Sequence, residues 1–262
     1  MSNGFPCVIS VAVVAAPFAA MTTSVAAAAP CAFEQQGEGR VGAVIDARSF
    51  RLADGREVRL AGIAQTSAEK ADPLQVQALA AMLVGRDVRL SGEDDTPDRY
   101  GRELAFVWRL PDGILVQREL LAQGAALASA DVADKDCAAA LMAAEATARE
   151  AKRGIWADPT AIKNTESPGD ISAGIGRFML VEGKVLSVRQ AGATTYLNFG
   201  RNWTRGFAAT ISKRVLPAFE NAGIVLKSLE NRKVRVRGWV EGNAGPRIDV
   251  LRVGQIELLG AN

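Results

Sequence analysis

The chain has 262 residues, of which 48% are hydrophobic and 23% charged, a composition typical of globular proteins with one sizeable domain or two small ones. It contains no histidine, which excludes a Ser-His or Cys-His catalytic pair and any histidine-based metal site. The net charge of +2 conceals an asymmetry: residues 30–175 carry 17 basic and 23 acidic side chains, whereas residues 176–262 carry 14 and 6.

The first 28 residues differ from the rest of the chain. They contain no charged residue, and their almost unbroken apolar run over residues 7–20 is too short to span a bilayer. The small residues at 25–28 are typical of a signal-peptide cleavage site. We therefore expect residues 1–28 to be a cleaved signal peptide and the mature protein to be periplasmic or secreted, without a transmembrane segment.

Two cysteines, Cys31 and Cys137, remain after such a cleavage. An even number of cysteines in an oxidising compartment favours a disulfide between them. The alternative is a pair of buried free thiols. A thiolate zinc site would need more cysteines than these two.

The first half of the mature chain reads as strands followed by helices. Residues 41–45, 50–52, 58–63, 88–90 and 104–108 have β-type patterns, and residues 73–83, 115–123 and 134–153 have helical ones. Five strands with helices inserted and appended predict a small closed barrel of the OB type over residues 36–157.

The second half is again rich in strands. Residues 158–176 contain Pro, Gly, Ser and Asn without apolar periodicity, which predicts a linker. Beyond it we predict strands at residues 178–188, 195–199, 207–211, 234–240 and 248–253, with one helix at 213–229. The sequence thus predicts a second, smaller OB-like barrel over residues 177–260, in a fold that is mainly β with helices (α+β).

Several short motifs of the first half occur in a specific order. They are Val44-Ile45-Asp46, Val58-Arg59-Leu60-Ala61-Gly62-Ile63, Asp98-Arg99-Tyr100-Gly101-Arg102, Leu120 to Ala125, and Glu145-Ala146 through Lys152 to Trp156. In this order and spacing they resemble the staphylococcal nuclease (thermonuclease) family from about residue 39 to residue 156. The resemblance implies an OB barrel with helices, and an activity that hydrolyses DNA and RNA with one calcium ion.

The resemblance also implies roles for individual residues. The two arginines that hold the phosphate in this family correspond to Arg59 and Arg102. Its two calcium-binding aspartates and its general-base glutamate correspond to Arg48, Ala64 and Ser67. Calcium requires six to eight oxygen ligands, and a guanidinium 4 Å from the ion would cost about 8 kcal/mol at an effective dielectric constant near 20. We therefore expect no cofactor, with calcium only if acidic ligands have been relocated.

The arginines that remain could serve another purpose. Arg48, Arg59 and Arg102 on one face of the barrel would form a metal-free anion site, because guanidinium groups match phosphate oxygens. The alternative is that Arg59 and Arg102 form structural salt bridges with Asp46, Asp98 or Glu103.

The second half alternates cations with aromatic residues. Strand alternation is expected to turn the side chains of Lys233, Arg235 and Arg237 outward. A cationic groove with stacking rings is typical of single-stranded nucleic acid binding on OB folds. The predicted nucleic-acid-binding residues are Arg48, Arg201, Trp203, Arg205, Lys233, Arg235 and Arg237, with Tyr196 as a second ring for stacking. The alternative is a solvated edge strand that discourages aggregation.

These observations predict an exported thermonuclease-like protein that has lost its calcium-binding and general-base carboxylates and binds nucleic acid or another polyanion. Two alternatives stay open: an active calcium-dependent nuclease with relocated acidic ligands, and a protein-interaction scaffold with a protein partner. The sequence does not indicate an oligomeric state.

Overall fold

The computed structural model describes Met1 and residues 30–66, 72–93, 96–202 and 205–260. The predicted signal peptide, Ser67 and Trp203 therefore lie outside the described residues. The described chain folds into two β-barrels with five helices, which confirms the predicted α+β fold.

The first barrel closes through five strands. Its elements are β1 (Glu34–Asp46), β2 (Ser49–Leu52), β3 (Glu57–Leu60), β4 (Ile63–Ala64), α1 (Pro73–Leu83), β5 (Asp87–Gly92), β6 (Glu103–Arg109), β7 (Ile114–Leu115), α2 (Val116–Ala122), β8 (Leu127–Ala128) and α3 (Lys135–Glu150). Strand β1 pairs with β2 and β5, β2 with β3, β3 with β6, and β6 with β5. This ring, with α1 between β3 and β5, is an OB-like arrangement.

The second barrel repeats this order of pairings. Its elements are β9 (Ile162–Asn164), α4 (Pro168–Ser172), β10 (Phe178–Lys184), β11 (Ser187–Ala191), β12 (Thr194–Asn198), β13 (Ala208–Ser212), α5 (Leu216–Asn221), β14 (Lys233–Gly242), β15 (Pro246–Val250) and β16 (Ile256–Leu258). The ring runs from β11 through β12, β13, β15 and β14 to β10, which continues directly into β11. A parallel pair, β3 with β6 and β13 with β15, completes each ring.

Two predicted segments differ from the structure. The helix predicted over residues 213–229 is wrong in length, because Gly223 adopts a φ of +71° after α5 and the chain resumes as a 3-10 turn at Leu226–Leu229. The stretch 158–176, predicted as a linker, contains β9, which pairs with β10, and α4, whose Ile171 is fully buried. Each of these two short elements buries too few apolar side chains to give an apolar periodicity, so the sequence does not reveal them.

Each barrel has its own apolar core. Strand alternation places Val58 and Leu60 of β3 in the first core and leaves Arg59 on the outer face. In β12 the same rule buries Leu197 and turns Tyr196 outward. The functional side chains considered below lie on these outer faces.

Two glycine motifs of the first barrel meet in space. Gly124 and Gly154 both have positive φ, and a Cβ on Gly124 would lie 2.2 Å from the carbonyl oxygen of Arg153. A Cβ on Gly154 would in turn lie 2.3 Å from the carbonyl oxygen of Gly124. Glycine is therefore required at both positions, and it lets the Ile155 N–H donate to the Gly124 carbonyl at 2.9 Å.

An apolar cluster joins the two barrels. We call it the interface cluster; its buried members are Ala64, Leu127, Ala148, Trp156, Phe178 and Leu180. The ring of Trp239 on β14 packs against it and meets Phe178 edge to face, with centroids 5.9 Å apart. The first barrel supplies four of the six buried side chains and the second barrel two.

The predicted disulfide between Cys31 and Cys137 is confirmed, with a Cα–Cα distance of 4.5 Å. It ties the segment before β1 to the first turn of α3, which Asp134 caps by accepting from the Cys137 N–H at 2.7 Å. None of the helices in the described part of the chain has the length and apolar character needed to cross a bilayer.

Candidate functional site

Two arginines of the first barrel meet at one carboxylate. Arg102 donates to Oδ2 of Asp98 from Nε at 2.9 Å and from Nη2 at 2.7 Å. Nη1 of Arg59 lies 3.9 Å from the same oxygen, at the edge of ion-pairing distance. We call these three residues the arginine cluster. The salt bridges considered as an alternative from the sequence are thus present, but one carboxylate is shared between two cations.

The local chain geometry holds Asp98 in place. Its Oδ1 accepts from the backbone N–H groups of Tyr100 at 2.9 Å and Arg102 at 3.1 Å. Gly101, with a φ of +77°, closes the turn by donating to the Asp98 carbonyl at 2.8 Å. The Asp-Arg-Tyr-Gly-Arg motif is therefore a compact turn that places a carboxylate and a guanidinium beside Arg59.

The two guanidinium groups of the arginine cluster are not equally neutralised by Asp98. Burial would raise the pKa of Asp98, but hydrogen bonds from the Arg102 side chain and from the Arg102 and Tyr100 backbone outweigh it and lower this pKa to about 2. Burial and the neighbouring Arg102 guanidinium lower the pKa of Arg59 from its ordinary value, against the opposing influence of Asp46 and Asp98. Arg59 stays protonated, so it is a partly desolvated cation with incomplete neutralisation.

The exposed ring of Tyr100 covers this turn. The guanidinium carbon of Arg99 lies 4.7 Å from the ring centroid and that of Arg102 lies 5.0 Å from it. Both contacts fall within the range of cation–π interactions. The ring therefore restrains Arg102 in the orientation that meets Asp98.

Arg48 lines a neighbouring cleft of about 230 Å³. Its Nη1 donates to the Ile63 carbonyl at 3.3 Å, and its backbone N–H donates to Oδ1 of Asp46 at 2.8 Å. Glu93 and Asp131 also line the cleft, together with the apolar side chains of Leu60, Leu104, Phe106 and Val132. The arginine thus lies near acidic and apolar groups rather than in a purely cationic pocket.

Arg48 offers a guanidinium and Ala64 a methyl group, and neither supplies an oxygen ligand. Ala64 is 2% exposed and belongs to the interface cluster. Across the described ranges, no group of three or more His, Cys, Asp or Glu side chains is arranged to hold a metal ion. Ser67 lies outside these ranges.

Arg235 and Arg237 lie on the outer face of β14, but the solvent-exposed cationic stripe predicted there is wrong. Arg237 is 1% exposed because it packs against the first barrel, and Arg235 is 8% exposed because it lies between Glu182 of β10 and Glu257 of β16. Nη1 of Arg237 lies 2.8 Å from Oε2 of Glu145 and donates to the Ala128 carbonyl at 2.9 Å. Arg237 therefore belongs to the contact between the barrels, Arg235 is paired within the second barrel, and neither lies in a solvent-exposed groove.

A buried ionic network surrounds this contact. Glu145, fully buried on α3, also accepts from the Ala128 N–H at 2.8 Å. Arg235 bridges Glu182 at 2.6 Å and Glu257 at 2.8 Å. Removing one partner of a buried ion pair destabilises the fold, because the other charge is left buried. The sequence could have signalled Glu145, since it interrupts the α3 stripe of Cys137, Leu141 and Ala148.

The remaining predicted cations of the second barrel are at the surface. Arg201 and Arg205 are exposed on the loop between β12 and β13, in which Trp203 lies outside the described residues. Lys233 is exposed as well, and its Nζ lies 3.6 Å from Oε2 of Glu182. The described residues that were predicted to bind nucleic acid therefore do not lie together. Arg48 is in the first barrel, Arg235 and Arg237 are buried, and Arg201, Arg205 and Lys233 are exposed on the second barrel.

The first barrel has features that indicate its class: it is an OB-like barrel with appended helices, and it carries a pair of arginines beside β3 and β6. Residues 58–158 match the model of the staphylococcal nuclease homologue family, and this part of the chain is a staphylococcal nuclease-like domain, as the resemblance implied. The match includes the arginine cluster and Ala64; Arg48 and the second barrel lie outside it. A search of curated proteins found no match to the chain.

Proposed function

We propose that the protein binds nucleic acid, or a related phosphate polyanion, without hydrolysing it. The observation that supports this most directly is the state of Arg59: it is partly buried, lies beside Arg102, and is 3.9 Å from a carboxylate that Arg102 already occupies. A phosphate group would complete the neutralisation of the arginine cluster. Guanidinium groups bind phosphate through paired, charge-assisted hydrogen bonds.

The loss of hydrolysis is proposed from the residues at the acidic positions of the family. Arg48 and Ala64 supply no oxygen ligand, and the position of the general base is Ser67. Without a metal ion or a carboxylate base, neither charge stabilisation by the metal nor activation of water is available. An aspartate at residue 64 would also place a carboxylate in the apolar interface cluster, which is unfavourable.

The proposed organisation is a signal peptide at residues 1–28, a nuclease-like domain at 36–157, and a basic domain at 177–260 joined to it by residues 158–176. Export is supported by the disulfide, which is consistent with an oxidising compartment. Arg201, Arg205 and Lys233 are proposed as additional contacts to the polyanion because they are exposed cations of the second domain.

Phosphate contacts can be counted from the salt dependence of binding. We expect the wild-type protein to bind a labelled single-stranded oligonucleotide more weakly as salt rises. Arg59→Gln and Arg102→Gln should each reduce the slope of log K against log salt by about 0.7, because a protein with one fewer cation at the phosphates releases fewer counterions. The measurement is fluorescence anisotropy at a series of salt concentrations in the presence of a chelator.

The matched control is Arg51→Gln, because Arg51 lies on β2 of the same barrel with an exposed side chain. An equal change of slope in this control would mean that binding does not depend on the arginine cluster. Binding of the wild-type protein that is independent of salt would rule out phosphate contacts as the main source of affinity.

A further inference from the structure

A second cleft opens on the outer face of the second barrel. Its volume is about 480 Å³, and it lies between the outer face of strands β11, β12 and β13 and the turn that joins β14 to β15. Its larger lining side chains are Arg189, Tyr196, Asn198 and Arg247. Small residues at positions 191, 206 and 208 leave the space open beside the tyrosine ring.

The register of the sheet explains why these side chains converge. Arg189 on β11 lies directly opposite Tyr196 on β12, and Asn198 lies opposite Ala208 on β13. Ala208 is in turn the parallel partner of Arg247 on β15. Arg189 is thus the direct neighbour of the Tyr196 ring, and Arg247 lies in the next row of the sheet, in register with Asn198 and Ala208. The cleft is built from four neighbouring strands and not from a single loop.

The cleft is cationic. None of the described residues that line it is acidic, whereas Glu93 and Asp131 line the cleft of the first barrel. Arg247 lies 3.9 Å from the carboxylate of the exposed Glu241 and, in the hydrogen-bonded orientation of the Asn243 amide, donates to its side-chain oxygen from Nη2 at 2.9 Å and Nη1 at 3.2 Å. The guanidinium is therefore positioned by a neutral side chain, with no carboxylate closer than 3.9 Å among its described salt bridges. Nε of Arg247 is buried and has no hydrogen-bond partner within the described part of the chain.

The position of the cleft agrees with the way OB barrels bind ligands. These folds bind oligonucleotides and oligosaccharides on the face formed by their second and third strands and the adjacent loops, here β12, β13 and the β14–β15 turn. Aromatic rings stack on unpaired bases, and guanidinium groups beside them bind the flanking phosphates. A base in a duplex is already stacked and paired, so a recessed tyrosine ring favours a single strand.

We propose that this cleft binds single-stranded nucleic acid, with one base stacked on Tyr196 and the neighbouring phosphates at Arg189 and Arg247. The inference rests on the proposed function, since it assigns a second contact region and a strand preference to the same ligand. Arg205, which precedes the lining residue Gly206, extends the cationic rim along the loop.

The test compares oligonucleotides that differ in their bases alone. The full mature chain is titrated with labelled dT12 and with an abasic strand of the same number of phosphates. Tyr196→Ala should weaken dT12 binding about tenfold, because stacking on an aromatic side chain typically contributes that much per base. The same variant should bind the abasic strand as the wild type does.

Tyr196→Phe keeps the aromatic ring and should bind dT12 with wild-type affinity. Tyr196→Leu keeps an apolar side chain in the strand but no ring, so it should weaken dT12 binding as much as Tyr196→Ala does. Arg189→Gln should weaken both strands, and the exposed Arg214 of the same barrel supplies its matched control as Arg214→Gln. Equal loss for dT12 and the abasic strand, or no loss for either in Tyr196→Ala, would overturn the stacking site.

Three further outcomes distinguish the ligand classes and the two sites. A sulfated polysaccharide whose binding falls as much as that of dT12 in Tyr196→Ala would contradict the assignment to nucleic acid. Loss of dT12 binding in Arg59→Gln and Arg102→Gln but not in Tyr196→Ala would overturn this inference and leave the proposed function intact. Loss in Tyr196→Ala with no effect of the first-barrel variants would leave the cleft intact and remove the arginine cluster as a binding site.

Discussion

Asp98 is within reach of two guanidinium groups and can neutralise one of them. Arg102 makes both of the short side-chain hydrogen bonds to it, so Arg59 keeps a positive charge in a partly buried position. The arginine cluster carries two guanidinium charges and one carboxylate charge, and Asp46, which also acts on Arg59, offsets part of this excess. An added anion would stabilise the part that remains. At the scale of single residues, the proposed function depends on this imbalance and on the absence of carboxylates at Arg48 and Ala64.

The paired state of Asp98 predicts a dependence of stability on pH. Its pKa is about 2 in the folded protein, below the ordinary 3.8, so its stabilising contribution is complete above pH 4 and is lost as the pH falls through 2. We expect Asp98→Asn to lower the free energy of unfolding by about 1 kcal/mol at pH 7, after allowance for solvent screening. Denaturant unfolding from pH 7 to pH 2 measures the difference.

The control is Asp87→Asn, which removes the carboxylate of the exposed pair with Arg40. The difference between wild type and Asp98→Asn should close between pH 4 and pH 2, and that between wild type and the control should stay small throughout. Parallel curves for wild type and Asp98→Asn down to pH 2 would show that Asp98 is not held ionised by the arginines.

At the scale of elements, β14 shows both the strength and the limit of sequence reasoning. Alternation correctly places Val234 and Val236 in the core of the second barrel, since both are fully buried. The opposite face was expected to meet water, but it meets α3, β8 and β16. A two-residue period identifies two faces of a strand, and it does not say what covers the second one.

The buried pair of Glu145 and Arg237 gives the prediction for this element. Glu145→Leu or Arg237→Met alone should each cost about 3–5 kcal/mol of unfolding free energy, because each removes the shortest contact of a buried charge. The charge that remains keeps only a longer contact, Arg237 with Glu257 at 3.6 Å or Glu145 with Arg149 at 3.5 Å. The double variant Glu145→Leu with Arg237→Met should recover most of the loss, since apolar side chains can fill the same space. Chemical denaturation of wild type, both single variants and the double variant measures this coupling.

Arg40→Ala serves as the reference for an exposed pair and should change the unfolding free energy by less than about 1 kcal/mol. Equal and additive losses for Glu145 and Arg237, with no recovery in the double variant, would show that the two side chains do not act as a pair.

At the scale of the whole molecule, two barrels with the same order of strands pack through an apolar cluster and an ionic network. Each barrel was predictable, because strand alternation, helix caps and glycine turns are local in sequence. Their packing was not: Ala64, Glu145 and Phe178 come from distant segments, and no local pattern links them. The arginine cluster was anticipated from two motifs, whereas the cleft around Tyr196 needs the register of four strands.

The packing also bears on the site. The resemblance assigns Ala64 to the position of a calcium-binding aspartate of the nuclease family, and in this structure Ala64 contributes to the interface cluster. The position thus serves the contact between the barrels. We interpret the molecule as a binding protein built on a nuclease-like barrel, whose second barrel extends the surface available to the same ligand.

The most direct measurement is a comparison of the mature protein with single-stranded DNA in calcium and in chelator. Anisotropy reports binding, and electrophoresis of the same samples reports the length of the strand. The account predicts equal affinity in both conditions, with the oligonucleotide intact after long incubation at high protein concentration. Cleavage that requires calcium and stops with chelator, or binding that depends on calcium, would contradict it.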